Sequence, residues 1–186
     1  LNDDQDPSSI ITVEDPVECE LPGISQCELK RSDESEDDFA FWETALKSAL
    51  RQDVKTLVIG EMRDKAVVRI ALEAALTGHR VISTYHAGDI ASVYARIMHQ
   101  GFEPFLVAAA IKGIVSQRLF HTLEHGIVPI AACLQPDDAW RDFIMTRPGL
   151  DQLRKHIKGV KTADLEYQAM LAAEQGLITK EQVKLL

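Results

Sequence analysis

Hydrophobic residues in the first half of the chain form two kinds of pattern, which follow one another along the sequence. Short apolar or β-branched runs predict buried strands at residues 9–13, 56–60 and 80–84. Between them, apolar residues recur every three or four positions, which predicts helices at 38–50 and 64–76. The connections between the strands are too long for hairpins. The order therefore predicts an α/β fold with a mostly parallel, doubly wound sheet and flanking helices.

Capping residues sharpen several of these predictions. Asp64 is a predicted N-cap, and Gly78 stands just beyond the end of the same helix. Asp89 can cap a further helix that ends at Gly101. A weak alternation over residues 25–31 predicts a short edge strand beside the sheet.

The second half is predicted to be mainly helical. Pro104 suits the first turn of a long helix, rich in small residues, that ends near Phe120. An apolar run at 127–134 predicts a strand that closes the sheet. Beyond it only helical spacing remains, at residues 138–145, 151–158, 163–174 and 180–186. We therefore predict a core domain over 1–134 and a small helical C-terminal subdomain over 135–186.

Composition narrows the class of protein. The 186 residues are 46% hydrophobic and 26% charged, which is ordinary for a globular protein. The net charge of -9 argues against nucleic acid as the main partner, because an acidic surface repels phosphates. Part of the excess lies in an acidic run over 33–38, which predicts a solvated loop. No run approaches the roughly 18 apolar residues of a membrane helix.

Cysteine usage and the chain start add two expectations. Three cysteines without a Cys-x-x-Cys pair argue against a disulfide framework or zinc site and favour a reducing compartment. The chain begins at Leu1, its first ten residues read as a surface loop, and no export leader is visible. We expect it to be a piece of a longer protein.

Acidic residues stand where predicted strands end. Glu14 and Asp15 follow the first strand, and Glu61 follows the second. If these strands are parallel neighbours, the three acids share the sheet edge at which open α/β sheets bind ligands. Clustered carboxylates repel one another unless a cation intervenes, which suggests Mg²⁺. The alternative is that they are helix caps and solvated loop acids.

Two histidines and three arginines are further candidates. His79 and His86 flank the third predicted strand, where an imidazole can contact a phosphate or orient a carboxylate. Arg51, Arg63 and Arg118 each stand beside an element end, and a guanidinium suits phosphate recognition. Ordinary structural contacts and salt bridges to nearby acids are the alternatives. The sequence contains no phosphate-loop motif of the form Gly-x-x-x-x-Gly-Lys-Ser/Thr.

Four segments together resemble one family, the type II secretion and type IV pilus ATPase superfamily. Thr12–Glu18 resembles its Asp box, and Leu57–Asp64 resembles its Walker B segment. Thr77–Ala87 resembles its His box, and Ser116–Leu119 resembles the Gln-Arg-Leu that closes its domain. The segments occur in family order over residues 10–120.

The resemblance implies a fold, which is a partial RecA-like P-loop NTPase core, and a function as a motor subunit. It implies a subunit of a homo-hexameric motor that hydrolyses ATP with Mg²⁺ to power pilus assembly, pilus retraction or secretion. It places the motor in the cytoplasm, peripherally on the inner membrane against a platform protein, with no direct nucleic-acid contact. The family's Walker A loop precedes the Asp box, so we expect this chain to lack it and to bind ATP poorly alone.

The resemblance also assigns roles to matching residues. It implies catalytic roles for Glu61, Glu14 and His86, with Glu61 also near Mg²⁺, in contact with it directly or through water. It implies nucleotide-side roles for Asp15, Glu18, His79, Arg51 and Arg63, with Asp15 holding its loop in place. Gln117 and Arg118 are implied at a subunit interface or in a structural role.

Two departures from the family pattern qualify the resemblance. Lys47 stands where the family often has an arginine, and lysine lacks the bidentate fork. Only Cys133 occurs where many secretion members carry a four-cysteine zinc module, which favours a pilus or conjugation branch. Two other readings stay open: a DNA-transporting RecA-like ATPase, and a non-catalytic ring scaffold or docking module.

Overall fold

The computed structural model describes residues 9–29, 38–122, 124 and 126–186. Of the loop predicted over 33–38, residues 33–37 lie outside the described residues, and Asp38 is the first residue of a helix. The chain divides into two compact units, Leu1–His86 and Ala87–Leu186. The predicted domain boundary between residues 134 and 135 is a different division and stays a prediction.

The first unit is a four-stranded parallel sheet with two helices. The strands, in the spatial order β2-β1-β3-β4, are β1 (Ile10–Glu14), β2 (Ser25–Glu28), β3 (Thr56–Glu61) and β4 (Arg80–Thr84). The helices are α1 (Asp38–Leu50) and α2 (Lys65–Leu76). Each parallel connection carries a helix or a loop, as parallel pairing requires.

The two central strands supply the core of this unit. Val13, Leu57 and Ile59 have no exposed surface, and Leu46 of α1 is equally buried. Side chains of this size each contribute about 1.5–3 kcal/mol when they are fully buried. The edge strands β2 and β4 are more exposed, in agreement with the weak pattern of residues 25–28. The parallel α/β sheet predicted from the sequence is therefore confirmed.

Helix α2 is bounded as its sequence predicts. The Asp64 carboxylate accepts hydrogen bonds from the backbone N–H groups of Ala66 (2.7 Å) and Val67 (3.0 Å). Gly78 adopts a φ of 99° just beyond the helix, a conformation that glycine reaches without steric cost. These two signals set both ends of the helix and so fix where β4 begins.

The second unit is mainly helical around one β-hairpin. The hairpin strands are β5 (Ile114–His121) and β6 (Ile127–Leu134), which pair antiparallel. The helices are α3 (Ile90–His99), α4 (Pro104–Ala110), α5 (Asp138–Met145), α6 (Leu150–Lys158), α7 (Leu165–Glu174) and α8 (Lys180–Val183). Tyr94 of α3 packs edge-on against Trp140 of α5, and burial raises the pKa of Tyr94 to about 12.

The long helix predicted from Pro104 to near Phe120 is wrong beyond Ala110. Gly113 and the β-branched pair Ile114 and Val115 follow the helix and favour a strand. The stretch after Gly113 pairs with β6 instead of continuing the helix.

Strand β6 likewise does not close the parallel sheet, because in the described part of the chain it pairs with β5 in a separate two-stranded sheet.

The hairpin is stabilised by tertiary packing. Phe120 and Ile130 lie in one cluster with Ala169 and Ala172 of α7 and with Ile178. No helix in the described ranges has the length and apolar character needed to cross a membrane.

Candidate functional site

The carboxyl ends of β1, β3 and β4 meet at one edge of the parallel sheet. Val13 of β1 is in register with Ile59 of β3, and Glu61 is in register with Thr84 of β4. Glu14 and Glu61 therefore stand at the same edge, as predicted from the positions of the strand ends. This edge is where open α/β sheets bind their ligands.

Glu61 is held from two sides. Arg63 Nε donates to Glu61 Oε2 at 2.6 Å, and His86 Nε2 lies 2.9 Å from Glu61 Oε1. The Glu61 side chain is 16% exposed, whereas that of His86 is 89% exposed. The hydrogen bond and the charge of Glu61 raise the pKa of Arg63, and the charge of Asp15 adds to the effect. Arg63 thus links the acids of β1 and β3 electrostatically.

A β-bulge sets the direction of Glu61. The register between β3 and β4 shifts between Ile59 and Glu61, so Gly60 occupies the irregular position. Thr84 closes over the bulge, because its Oγ1 donates to the Gly60 carbonyl oxygen at 2.6 Å. The Thr84 carbonyl accepts from the Met62 N–H at 3.1 Å. The bulge is therefore held at both sides by one threonine.

Gly60 also allows β1 to approach β3 closely at this edge. A Cβ placed on Gly60 would stand 3.4 Å from both Glu14 Cα and the Val13 carbonyl oxygen, and 3.7 Å from Glu14 Cγ. That space admits one methyl group at ordinary contact distance. The backbone of the residue before Glu61 thus lies directly against Glu14.

Glu14 is half-buried and accepts two side-chain hydrogen bonds on the same oxygen. Thr12 Oγ1 donates to Glu14 Oε1 at 2.5 Å, and Gln26 Nε2 donates to it at 3.0 Å. Thr12 and Gln26 are themselves in register between β1 and β2. Two neighbouring strands therefore orient this carboxylate.

Glu18 lies on the loop that joins β1 to β2 and is exposed. Its two neighbours are tied to β2, since the Val17 N–H donates to Glu28 Oε2 at 3.2 Å and the Cys19 carbonyl accepts from Gln26 Nε2 at 3.0 Å. The loop backbone is thus anchored on both sides of Glu18.

Two predicted nucleotide-side residues lie at the other edge of the sheet. His79 precedes β4, whereas His86 follows it, and the five residues of β4 span roughly 16 Å. His79 Nδ1 lies 3.2 Å both from the Ala74 carbonyl oxygen at the end of α2 and from Thr77 Oγ1. Arg51 follows α1 and is exposed before β3 begins. Within this unit neither residue joins Glu61, and their roles stay predictions.

Gln117 and Arg118 belong to the second unit, on β5. Arg118 Nη1 donates to the Leu185 carbonyl oxygen at 3.4 Å, which ties β5 to the chain after α8. Gln117 is exposed and is paired in register with Ala131. This contact lies within the second unit, and the interface or structural role of the pair stays a prediction.

The acids at the sheet edge do not form a metal site by themselves. No group of three or more His, Cys, Asp or Glu side chains in the described ranges is arranged to hold a metal ion. Both oxygens of Glu61 already have partners. Mg²⁺, however, is usually held by one or two carboxylates together with waters and substrate phosphates. Glu61 could supply one such carboxylate beside a bound nucleotide.

Sequence reasoning missed three polar residues of the site: Thr12, Gln26 and Thr84. A signal existed for Thr12, because side chains two apart in a strand share one face, so it lies beside Glu14. Thr84 ends a predicted strand, but nothing in its local sequence indicates a role in the site. Gln26 becomes a partner of Glu14 only through the pairing of β1 with β2, which no local pattern reveals.

Fold and site together define a class: an α/β nucleotide-binding-type domain with acids and an imidazole at the carboxyl edge of a parallel sheet. The family is defined by sequence. The family model described as Type II/IV secretion system protein matches residues 2–185. The chain belongs to this family, as its four motif-like segments predicted.

Two relatives show the level of similarity. The chain is 44% identical over 120 residues to the type II secretion system protein HxcR of Pseudomonas aeruginosa, covering 64% of this chain and 24% of that protein. It is 46% identical over 108 residues to the type IV pilus assembly ATPase PilB of Thermus thermophilus, covering 58% of this chain and 12% of that protein. The chain thus spans a quarter or less of these relatives.

Solved structures agree with the predicted RecA-like core. The structure of the pilus retraction motor PilT with bound ADP matches with a TM-score of 0.80 at 30% identity, over 94% of this chain and 51% of that one. The Legionella pneumophila ATPase DotB matches with a TM-score of 0.79 at 24% identity, over 95% of this chain and 50% of that one. The second likeness supports the fold alone.

Proposed function

We propose that this chain supplies the Walker B, Asp-box and His-box side of an ATP-hydrolysing site in a motor of the type IV pilus or type II secretion kind. One observation carries the proposal. The Glu61 carboxylate stands at the carboxyl end of a central parallel strand, beside Glu14, and is held by Arg63 and His86. Relatives named as a pilus assembly ATPase and a pilus retraction motor support the same reaction.

The proposed role of Glu61 is to orient the water molecule that attacks the phosphate. Phosphoryl transfer depends mainly on positioning and charge stabilisation, so an acid beside the phosphates acts by holding the nucleophile. In this structure Glu61 Oε1 is paired with His86. His86 is largely exposed, so it can turn from Glu61 toward a phosphate and leave that oxygen to a water molecule. Arg63 keeps the other oxygen in place.

Mg²⁺ belongs to the proposal as a partner of the nucleotide. When bound with phosphates it neutralises their charge and polarises the transferred group. Glu61 would contact it through a water molecule. Glu14 and Glu18 would stand on the nucleotide side of the same edge, and Asp15 would keep its charge near Arg63.

The assembly is proposed from the family. We infer a homo-hexamer in the cytoplasm, docked on an inner-membrane platform protein, with the phosphate-binding loop outside these 186 residues. The length of the relatives supports that placement, since the chain covers 51% of the PilT chain. Arg51 and His79 are proposed on the nucleotide side of the site in the assembled ring. Gln117 and Arg118 are candidates for contacts between subunits.

The direct test is Glu61→Gln in the full-length protein. The amide keeps the size of the side chain but cannot hold a water molecule as an anionic acceptor, so Mg²⁺-dependent ATP hydrolysis is expected to fall by at least about 100-fold. Phosphate release measured in steady state gives the rate. Thermal unfolding of the variant confirms that it is folded.

Glu73→Gln is the matched control. Glu73 is exposed on α2 of the same unit and pairs with Arg69 across one helical turn. The same chemical change there is expected to leave the rate within about twofold, because exposed pairs of this kind contribute little. Undiminished hydrolysis by Glu61→Gln would remove Glu61 from the catalytic machinery.

A further inference from the structure

We propose that Gln26 is a positioning residue that orients Glu14 and anchors the loop carrying Glu18, a role that rests on the proposed ATP site. Gln26 does not face the reacting groups. It acts through the two acids of the β1 side, one by direct contact and the other through the loop backbone.

The Gln26 amide uses both its donor and its acceptor groups. Its Nε2 donates to Glu14 Oε1 and to the Cys19 carbonyl oxygen, each at 3.0 Å. Its Oε1 accepts from the Leu21 N–H at 2.6 Å. The reverse orientation would set the amide oxygen against two acceptors and the amino group against a donor. The network therefore leaves a single orientation for this side chain.

The contact with Glu14 fixes the rotation of its carboxylate. Gln26 and Thr12 both donate to Oε1, one from each neighbouring strand. Neither donor contacts Glu14 Oε2. The direction of Oε2 is set by the two hydrogen bonds that hold Oε1. Removal of Gln26 leaves Thr12, on the same strand as Glu14, as the remaining side-chain donor to Glu14 among the described residues.

The contacts with Cys19 and Leu21 act on the loop. Gln26 and Glu28 lie two residues apart in β2 and so share one face of that edge strand. Glu28 accepts from Val17 and Gln26 donates to Cys19, so β2 holds the backbone on each side of Glu18. The edge strand β2 thus supports an exposed loop at points on both sides of Glu18.

The first experiment tests the anchoring in this chain without nucleotide. Amide hydrogen exchange at Leu21 is compared in the parent chain, Gln26→Leu and Gln26→Glu. Gln26→Leu removes the acceptor, so exchange at Leu21 is expected to speed up by at least about tenfold. Gln26→Glu keeps an acceptor for Leu21, and its exchange is expected to stay closer to that of the parent. Equal exchange in all three chains would overturn the anchoring role.

The second experiment tests positioning in the full-length protein. Gln26→Leu removes the donor to Glu14 without placing a charge beside it, whereas Gln26→Glu keeps the acceptor for Leu21 but sets a second carboxylate against Glu14 Oε1. The kcat for ATP is expected to fall by about 10- to 100-fold in both variants, because a misplaced site group can cost about 100-fold in rate. The melting temperature and KM of Gln26→Leu are expected to change little. A purely structural role would instead lower the melting temperature and leave kcat near that of the parent.

Gln135→Glu and Gln135→Leu are the matched controls. Gln135 is exposed and lies in the other unit, so the same substitutions there are expected to leave kcat within about twofold. If both Gln26 variants keep the parent kcat while Glu61→Gln is inactive, the positioning role fails and the proposed function stands. If the parent protein hydrolyses no ATP, the proposed function itself fails, and with it the positioning role.

Discussion

At the residue scale, the geometry around Glu61 depends on a neighbour that has no side chain. Gly60 sits at the β-bulge, its carbonyl oxygen is held by Thr84, and its Cα faces Glu14. The φ of Gly60 is not among the positive values found elsewhere in the chain, so glycine is needed there for space and not for backbone conformation. Its substitution therefore tests the spacing between the two acids.

Gly60→Val is expected to lower ATP hydrolysis by about tenfold or more in the full-length protein. The added Cβ would already meet Glu14 and Val13 at 3.4 Å, so the two further methyl groups must displace β1 or Glu14. Crowding of this kind costs about 1–3 kcal/mol of stability. Steady-state phosphate release and thermal unfolding measure the two effects.

Gly60→Ala is the control for that prediction. A single methyl group fits at ordinary contact distance, so we expect alanine to keep most of the activity. An inactive Gly60→Ala protein would show that the bulge needs glycine for a reason other than space. An active Gly60→Val protein would show that Glu14 can move without consequence.

At the element scale, helix caps determine where the polypeptide turns. Asp89 begins α3 by accepting a hydrogen bond from the Ser92 N–H at 2.6 Å, and it also pairs with Arg154 of α6 at 3.0 Å. Burial by itself would raise the pKa of Asp89, but the hydrogen bonds from Ser92 and the bond and charge of Arg154 outweigh it and lower that pKa. One side chain thus caps a helix and joins two helices.

Asp89→Ala is expected to reduce the stability of the chain by about 1 kcal/mol at pH 7, the usual value of an N-cap. A lowered pKa in the folded state means that the charged carboxylate stabilises the fold above its unfolded pKa of about 3.9. That contribution disappears as the pH falls through the lower, folded value. The difference between parent and variant is therefore expected to shrink in urea unfolding as the pH falls below about 4, the unfolded pKa, and through the lower folded pKa.

Asp142→Ala serves as the comparison for that measurement. Asp142 is exposed within α5, where alanine is the better helix former, so its removal should not destabilise the chain. A stability difference for Asp89→Ala that stays constant down to pH 3 would mean that its carboxylate is not what stabilises α3.

At the scale of the whole molecule, charge bears on the choice of partner. The net charge of -9 and the acidic run over 33–38 disfavour contact with a phosphate backbone. We therefore predict a pilus or secretion motor and not a DNA-transporting ATPase of the same superfamily, although both would share the α/β core and the acids at its edge.

We expect the chain to show no measurable binding to a short DNA duplex at about 150 mM salt in fluorescence anisotropy. Neutralising Asp33, Glu34, Glu36 and Asp37 provides the control, since any weak affinity should increase in that variant if acidity is what prevents binding. Micromolar binding by the parent chain, with a steep dependence on salt, would instead favour the DNA-transport reading.

Sequence alone determined the elements whose signals are local. The buried runs of β1 and β3, the periodicity of α1 and α2 and the caps Asp64 and Asp89 all lie within a few residues of what they specify. The strand-end acids Glu14 and Glu61 could be found in the same way, because parallel strands bring their carboxyl ends to one edge.

Only the tertiary structure decided the rest, because those features depend on residues far apart in the chain. Residues 114–121 form a strand, and not the end of a helix, because they pair with β6 and because Phe120 packs against α7. His79 and Arg51 lie away from Glu61 because strand direction separates the two ends of the sheet. Gln26 meets Glu14 only through the pairing of β2 with β1. Local sequence preferences determined most of the helices and strands, whereas pairing between distant segments determined which side chains are in contact.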